Sequence, residues 1–234
     1  MTLYDENGLE HTYNITELHP IGNGDCGVVY QLDEKSVLKI YNAETEKFCR
    51  LNKEVAEVSK TVKNPHLMNI QTLLYREPKI DKNSCQTEAY IASYIKKDNI
   101  DILRQPTDYL LENMYEISKL FNQFTAHNIT VDDVKFANAR MQENNIVLVD
   151  IDTWKNIKTS PAETKRINNT ELLLLFKRIV QSTIVLKNYP NDWFYTASKD
   201  LFDMDKRSIG EIEVTDIIAK RLVKYKYPID YFKN

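Results

Sequence analysis

Three glycines within six consecutive residues, Gly22, Gly24 and Gly27, constrain this chain more than any other feature. Only five glycines occur in its 234 residues, where roughly 16 would match the usual frequency of about 7%. A chain that avoids glycine elsewhere and clusters it once needs bare backbone there, for unusual dihedrals or for close approach to a ligand. The local order is Gly22-Asn23-Gly24-Asp25-Cys26-Gly27-Val28-Val29, a G-x-G-x-x-G-x-V pattern. Alone it is ambiguous, because a ligand-free turn and a dinucleotide-binding loop can both carry it.

The flanks narrow the choice. A dinucleotide site needs its third glycine to open a helix, but here Gly27 to Leu32 and Ser36 to Tyr41 are apolar, β-branched and aromatic runs around Asp33-Glu34-Lys35. That pattern predicts an antiparallel hairpin. A strand is expected at Thr16 to Ile21, and Asp5-Glu6-Asn7-Gly8 offers an Asn-Gly turn. Phe48, Leu51, Val55, Val58 and Val62 recur at helical spacing, which predicts a helix from about Ala43 to Val62, stopped by Asn64-Pro65. Further strands are expected at Gln71 to Tyr75 and Glu88 to Ile95, joined by the polar stretch Lys79 to Gln86.

Beyond Ile95 the pattern becomes helical. Leu110, Met114, Ile117, Leu120, Phe121 and Phe124 predict a helix over Tyr109 to His127, and a second is expected over Glu171 to Leu186. Ile146 to Val149 reads as a short buried strand that delivers Asp150, and a last helix is expected over Val214 to Tyr225. Trp154 and Trp193 read as packing anchors.

Composition excludes several classes. Lys+Arg number 31 against Asp+Glu 34, a formal charge of -3, which argues against a strongly basic nucleic-acid binder. Cys26, Cys49 and Cys85 form no C-x-x-C pair and the four histidines are scattered, so neither a zinc site nor a disulfide framework is suggested. The longest apolar run, Leu172 to Phe176, is far short of the roughly 20 residues of a membrane span. Met1 to Leu9 lacks the basic start and apolar stretch of a secretory signal. A cytoplasmic protein with no membrane partner is the expectation.

The motifs along the chain resemble those of the protein-kinase family. Gly22, Gly24, Gly27 and Val29 look like its nucleotide-covering loop, and Lys39, in Val37-Leu38-Lys39-Ile40, like its third-strand lysine. Thr130-Val131-Asp132-Asp133-Val134-Lys135-Phe136-Ala137-Asn138 resembles the catalytic loop H-R-D-x-K-x-x-N, with Asp133, Lys135 and Asn138 in register. Asp150 resembles the metal-binding Asp of D-F-G. The resemblance implies an α+β, bilobal protein-kinase-like fold, with a small β-rich N-lobe over 1–95 and a mostly helical C-lobe over 96–234. It also implies ATP and magnesium as cofactors. Lys39 would meet the α- and β-phosphates, held by Glu54 of the following helix, with Glu57 the competitor. Asp133 would orient the acceptor hydroxyl, Lys135 would contact the γ-phosphate, and Asn138 and Asp150 would hold magnesium. Ser93 and Ile95 would meet the adenine, with Ala92 as gatekeeper.

The pattern is also broken in places. Val131-Asp132 replaces His-Arg, which argues against switching by activation-loop phosphorylation. Asp150-Ile151-Asp152 replaces Asp-Phe-Gly, a feature similar to small-molecule kinases of the aminoglycoside and choline type. No Ala-Pro-Glu occurs; Ser160-Pro161-Ala162-Glu163 is a loose echo, and about 18 residues are expected between Asp150 and the next helix. The Asp that opens that helix in the family has Asn168, Asn169 and Glu171 as its nearest candidates here. The leading expectation is transfer of the γ-phosphoryl of ATP to protein Ser/Thr. A small-molecule hydroxyl acceptor and a pseudokinase acting through nucleotide or a regulatory protein partner are the alternatives. Cys26 in the glycine loop reads first as a packing residue and second as a redox handle. Lys220, Arg221, Lys224 and Lys226 read as cations favoured at a helix end.

Overall fold

The computed structural model describes residues 1–45, 49–78, 86–96 and 98–187. The expected C-terminal helix with its basic end, and Phe48, Cys85 and Trp193, lie outside the described residues. The chain is mixed α and β and divides into two compact units: Met1–Lys63 with Leu67–Ile95 and Asp150–Lys155, and Asn64–His66 with Lys96–Val149 and Asn156–Asn234. Sequence reading draws one boundary after Ile95. The chain changes unit there and also on either side of 64–66 and of 150–155.

The first unit opens with a small hairpin, β1 (Thr2–Tyr4) and β2 (Glu10–Thr12). Asp5 shapes its turn by accepting the N–H groups of Asn7 (2.8 Å) and Leu9 (2.9 Å), and Gly8 supplies the left-handed residue at φ +80. The main sheet is antiparallel, in the order β3-β4-β5-β7-β6: β3 (His19–Gly24), β4 (Gly27–Gln31), β5 (Ser36–Tyr41), β6 (Ile70–Leu74) and β7 (Ala89–Ser93). Strands β4 and β5 fall where the apolar runs put them. The first expected strand shifts, because Ile15–Glu17 winds into a 3₁₀ turn and extended structure starts only at His19. Leu3, Leu38, Leu74 and Ala89 form a buried cluster on this sheet.

Helix α1 runs over Lys53–Val62, a decade of residues later than its periodicity suggests. Asn52 caps it, accepting the Glu54 N–H at 2.8 Å. Just upstream, the buried Arg50 guanidinium donates to the carbonyls of Thr45, Thr87 and Asn42 at 3.0 to 3.1 Å, which commits those carbonyls to a side chain. The helix ends at Lys63, left-handed at φ 43 before Asn64-Pro65.

The second unit contains α2 (Ile100–Leu103), α3 (Thr107–Ala126), β8 (Ile129–Thr130), the hairpin β9 (Ala139–Gln142) and β10 (Asn145–Leu148), and α4 (Pro161–Lys187). All six apolar residues that predict α3 are buried. Asn113 of α3 accepts the Ile146 N–H (2.6 Å) and donates to the Asn144 carbonyl (3.2 Å), fixing the hairpin to the helix. Helix α4 begins ten residues before its apolar stripe. Ser160 accepts the Glu163 N–H at 3.2 Å and Pro161 opens the first turn, so Ser160-Pro161-Ala162-Glu163 is a helix start. The expected gap of about 18 residues after Asp150 is therefore reduced to 151–160. Among the described residues no helix is long and apolar enough to cross a membrane.

Candidate functional site

The register of the main sheet gathers the glycine loop and the lysine. Gly22 pairs with Val29, Val29 with Lys39, and Lys39 with Tyr90; one step along, Gly24 pairs with Gly27 and Gly27 with Tyr41. Directly opposed residues share a face, and so do residues two apart on a strand. Gly22, Gly24, Gly27, Val29, Lys39 and Tyr41 therefore lie on one face of the sheet. The three glycines leave a strip of backbone without side chains beside Lys39.

The glycines do not share one reason. A Cβ on Gly27 would stand 2.2 Å from the Ile40 carbonyl oxygen, so close approach of β5 demands glycine there. A Cβ on Gly22 would meet only Val29, at 3.7 Å, and one on Gly24 would meet nothing within 4 Å. Neither of these two has a positive φ. Among the described residues, neither a positive φ nor a close neighbour accounts for Gly22 and Gly24. At the hairpin tip the Cys26 carbonyl accepts from Asn42 N–H (3.1 Å) and Thr45 Oγ1 (2.7 Å), and the Asp25 carbonyl from Asn42 Nδ2 (3.2 Å). Two carbonyls that would repel an anion are thereby occupied. Burial, with smaller contributions from nearby charges, pushes the half-buried Cys26 thiol up, away from the reactive thiolate.

Lys39 is buried, and its ammonium donates to Asp150 Oδ1 and Asp152 Oδ2, each at 2.5 Å. Burial disfavours its charge, but the Asp152 and Asp150 carboxylates outweigh that and raise its pKa. Its partners correct the expectation that Glu54 holds it. Glu54 is exposed in the first turn of α1, and Glu57 reaches Lys53 at 3.8 Å. The physical reason is the late start of α1, which puts Glu54 at the helix mouth. The two carboxylates differ sharply: the Asp150 side chain is 45% exposed, that of Asp152 3%. Burial pushes the Asp152 carboxyl up to about 6 against the pull of Lys39, and its Oδ1 is buried without a hydrogen-bond partner. Sequence reading noticed Asp152 only as an extra carboxylate. The D-x-D spacing on an otherwise apolar segment was the available signal for its burial.

The second unit carries the loop with Asp133, Lys135 and Asn138. Asp133 has φ +55, accepts the Lys135 ammonium at 2.7 Å, and its carbonyl takes the Lys135 N–H (2.9 Å) and Asn138 Nδ2 (3.3 Å). Asp150 is likewise left-handed, at φ +60. Such non-glycine residues cost free energy, and they concentrate where a side chain must be aimed. Asn168 lies inside α4 rather than at its start. Fully buried, it accepts the Val131 N–H (2.7 Å) and donates to the Ile129 carbonyl (2.9 Å) and Thr125 Oγ1 (2.8 Å), bracing the approach to the loop. Ala92 is buried in β7; the Ser93 and Tyr94 N–H groups are taken by the Asn69 and Lys35 carbonyls, and Ile95 lies beyond the strand end.

Among the described residues no cluster of three or more His, Cys, Asp or Glu could hold a metal on its own. Taken one by one, two oxygens left over are nonetheless of the kind magnesium prefers. The second Asp150 oxygen and the Asn138 amide oxygen take no hydrogen bond among the described residues, and both are hard donors. No family model matches the chain, and no curated protein matches it.

Proposed function

We propose that this chain is a phosphotransferase of bilobal, protein-kinase-like fold that moves the γ-phosphoryl of ATP to a hydroxyl of protein Ser/Thr. The observation that carries the reading is the glycine strip beside Lys39. Among the described residues Gly22 and Gly24 have room for a side chain and no positive φ, and a ligand lying against the strip would account for bare backbone there. A polyphosphate next to a buried ammonium is the ligand whose chemistry fits. Lys39 would neutralise phosphate oxygens, Asp133 would accept or orient the acceptor hydroxyl proton, and Lys135 would neutralise charge on the transferred group. Asn138 and Asp150 would supply oxygen ligands to magnesium, whose chemistry is to neutralise charge on the phosphates.

A small-molecule acceptor is the second reading. It is favoured by the ten residues, 151–160, between Asp150 and α4, which leave little chain for a peptide-docking platform.

The double substitution Gly22→Ala/Gly24→Ala tests the proposal cleanly, because the protein itself has space for both methyls. Wild type is expected to melt higher with ATP and magnesium and to transfer label from ATP. The double variant should melt at the wild-type temperature without nucleotide and lose most of the nucleotide-induced rise. Asp133→Asn should keep the rise and lose transfer. A wild-type protein that neither melts higher with nucleotide nor transfers label would overturn the reading, and a rise without transfer to any protein or small hydroxyl compound would leave a nucleotide-binding regulator. A screen of casein-like proteins against sugars, aminoglycosides and amino alcohols separates the two acceptor classes.

A further inference from the structure

Lys39 is the most buried amine whose partners the structure gives, and those partners come from far along the chain. A buried ammonium needs a fixed counter-charge, and a buried carboxylate needs one as much. Asp150 is half exposed and has an oxygen to spare, so it can turn to another cation without leaving a charge stranded. Asp152 cannot. It is 3% exposed, its Oδ2 is on Lys39, and its Oδ1 is buried without a hydrogen bond. Burial and then the Asp152 charge push the Tyr41 and Tyr90 hydroxyls well up, so both stay neutral.

We propose that Asp152 is the positioning residue that holds the Lys39 ammonium in place, the task the resemblance assigns to a carboxylate on helix α1. Asp150 is the exchangeable partner and Asp152 the permanent one. Lysine anchor and candidate metal ligand then sit two residues apart on one segment, and movement of α1 does not reach the lysine. The anchoring claim concerns Lys39 itself; only its use for phosphate binding rests on the proposed function.

The test is the reactivity of the Lys39 amine, measured on the full chain without nucleotide. Brief reductive methylation with ¹³C-formaldehyde is read peptide by peptide, with the exposed Lys35 as internal reference. The amine reacts once it is released from its carboxylate partners, so removing the partner that holds it raises the labelling rate. In wild type Lys39 should label far more slowly than Lys35. Asp152→Asn should raise its rate at least about tenfold, Asp150→Asn by about twofold or threefold, and Glu54→Gln not at all. Acceleration by Glu54→Gln, or acceleration by Asp150→Asn as large as tenfold, would overturn the proposal, and both results can be read even where Asp152→Asn does not fold. So would an unchanged rate in a folded Asp152→Asn.

A melting series with ATP and magnesium on the same variants keeps the two ideas apart. The expected labelling pattern with no nucleotide-induced rise would retain the anchor and remove the nucleotide reading. A nucleotide-induced rise with Lys39 freed only by Glu54→Gln would do the reverse.

Discussion

The two charged groups of this protein are built in opposite ways. Around Lys39 the ammonium and the Asp152 carboxylate are buried, with the half-exposed Asp150 as second partner, each carboxylate at 2.5 Å. Around Asp133 they are exposed: the side chains of Asp133 and Lys135 are 37% and 55% accessible, and what is specified is the backbone, with Asp133 at φ +55 and its carbonyl taken by Lys135 and Asn138. One region is held by electrostatic necessity in a poor solvent for charge. The other is held by main-chain geometry and carries an exposed ion pair between Asp133 and Lys135. Substitutions should therefore cost folding in the first region and chemistry in the second.

The largest expected effect is that of Lys39→Met, which strands Asp152 as a buried carboxylate and should lower unfolding free energy by about 4 kcal/mol. Asp133→Asn should change it by less than about 0.5 kcal/mol, as exposed positions usually do. Urea unfolding of the two variants checks the contrast, and equal losses would break it.

A narrower comparison lies within the glycine strip. Gly27→Ala drives a methyl into the Ile40 carbonyl and should cost about 3 kcal/mol, the upper range for overpacking, while Gly24→Ala should be neutral within about 0.5 kcal/mol. Thermal melts distinguish them directly. If both destabilise alike, Gly24 has a structural reason that its open surroundings do not reveal.

The smallest of the three concerns what lies beneath the exposed loop. Asn168→Ala removes three buried hydrogen bonds and leaves the Val131 N–H without its acceptor, a loss of about 2 kcal/mol. Amide exchange at Val131 should accelerate in that variant. Unchanged protection there would mean that the loop is braced by other means.

What could be read from the sequence follows the range of the forces involved. Hairpin β4–β5, helix α3 and strand β10 were legible because alternation, helical period and apolar runs are local signals, and each survives folding unaltered. The starts of α1 and α4 were not. Apolar spacing around Leu51 looked helical, but the Arg50 guanidinium ties up three backbone carbonyls and Asn52 caps a later start. In α4 the first turns are polar, and the cap at Ser160, not the apolar stripe, marks the beginning.

The candidate site divides in the same way. Lys39 and the three glycines were found by motif, and their common face follows from strand register. Three motif glycines looked alike in the sequence, although one answers to β5 and two do not. The partner of Lys39 was missed because a lysine's counter-charge is chosen by burial, and burial of Asp152 is decided by residues more than a hundred positions away. The partners of Asn168 were not legible, since a polar residue inside a helix discloses them only once the loop lies over it.

The segment 150–155 belongs to the first unit while the chain on both sides of it belongs to the second. On a ribosome this has a temporal meaning. The nascent sheet has all its strands once Ser93 has emerged, yet Lys39 has neither of its counter-charges until Asp150 and Asp152 are made. At translation rates of about 5 to 20 residues per second, the intervening stretch imposes a wait of roughly 3 to 11 seconds. For that interval the growing polypeptide carries an unmatched cation in what will become its interior, and the first unit matures only after Lys96–Val149 of the second has been synthesised.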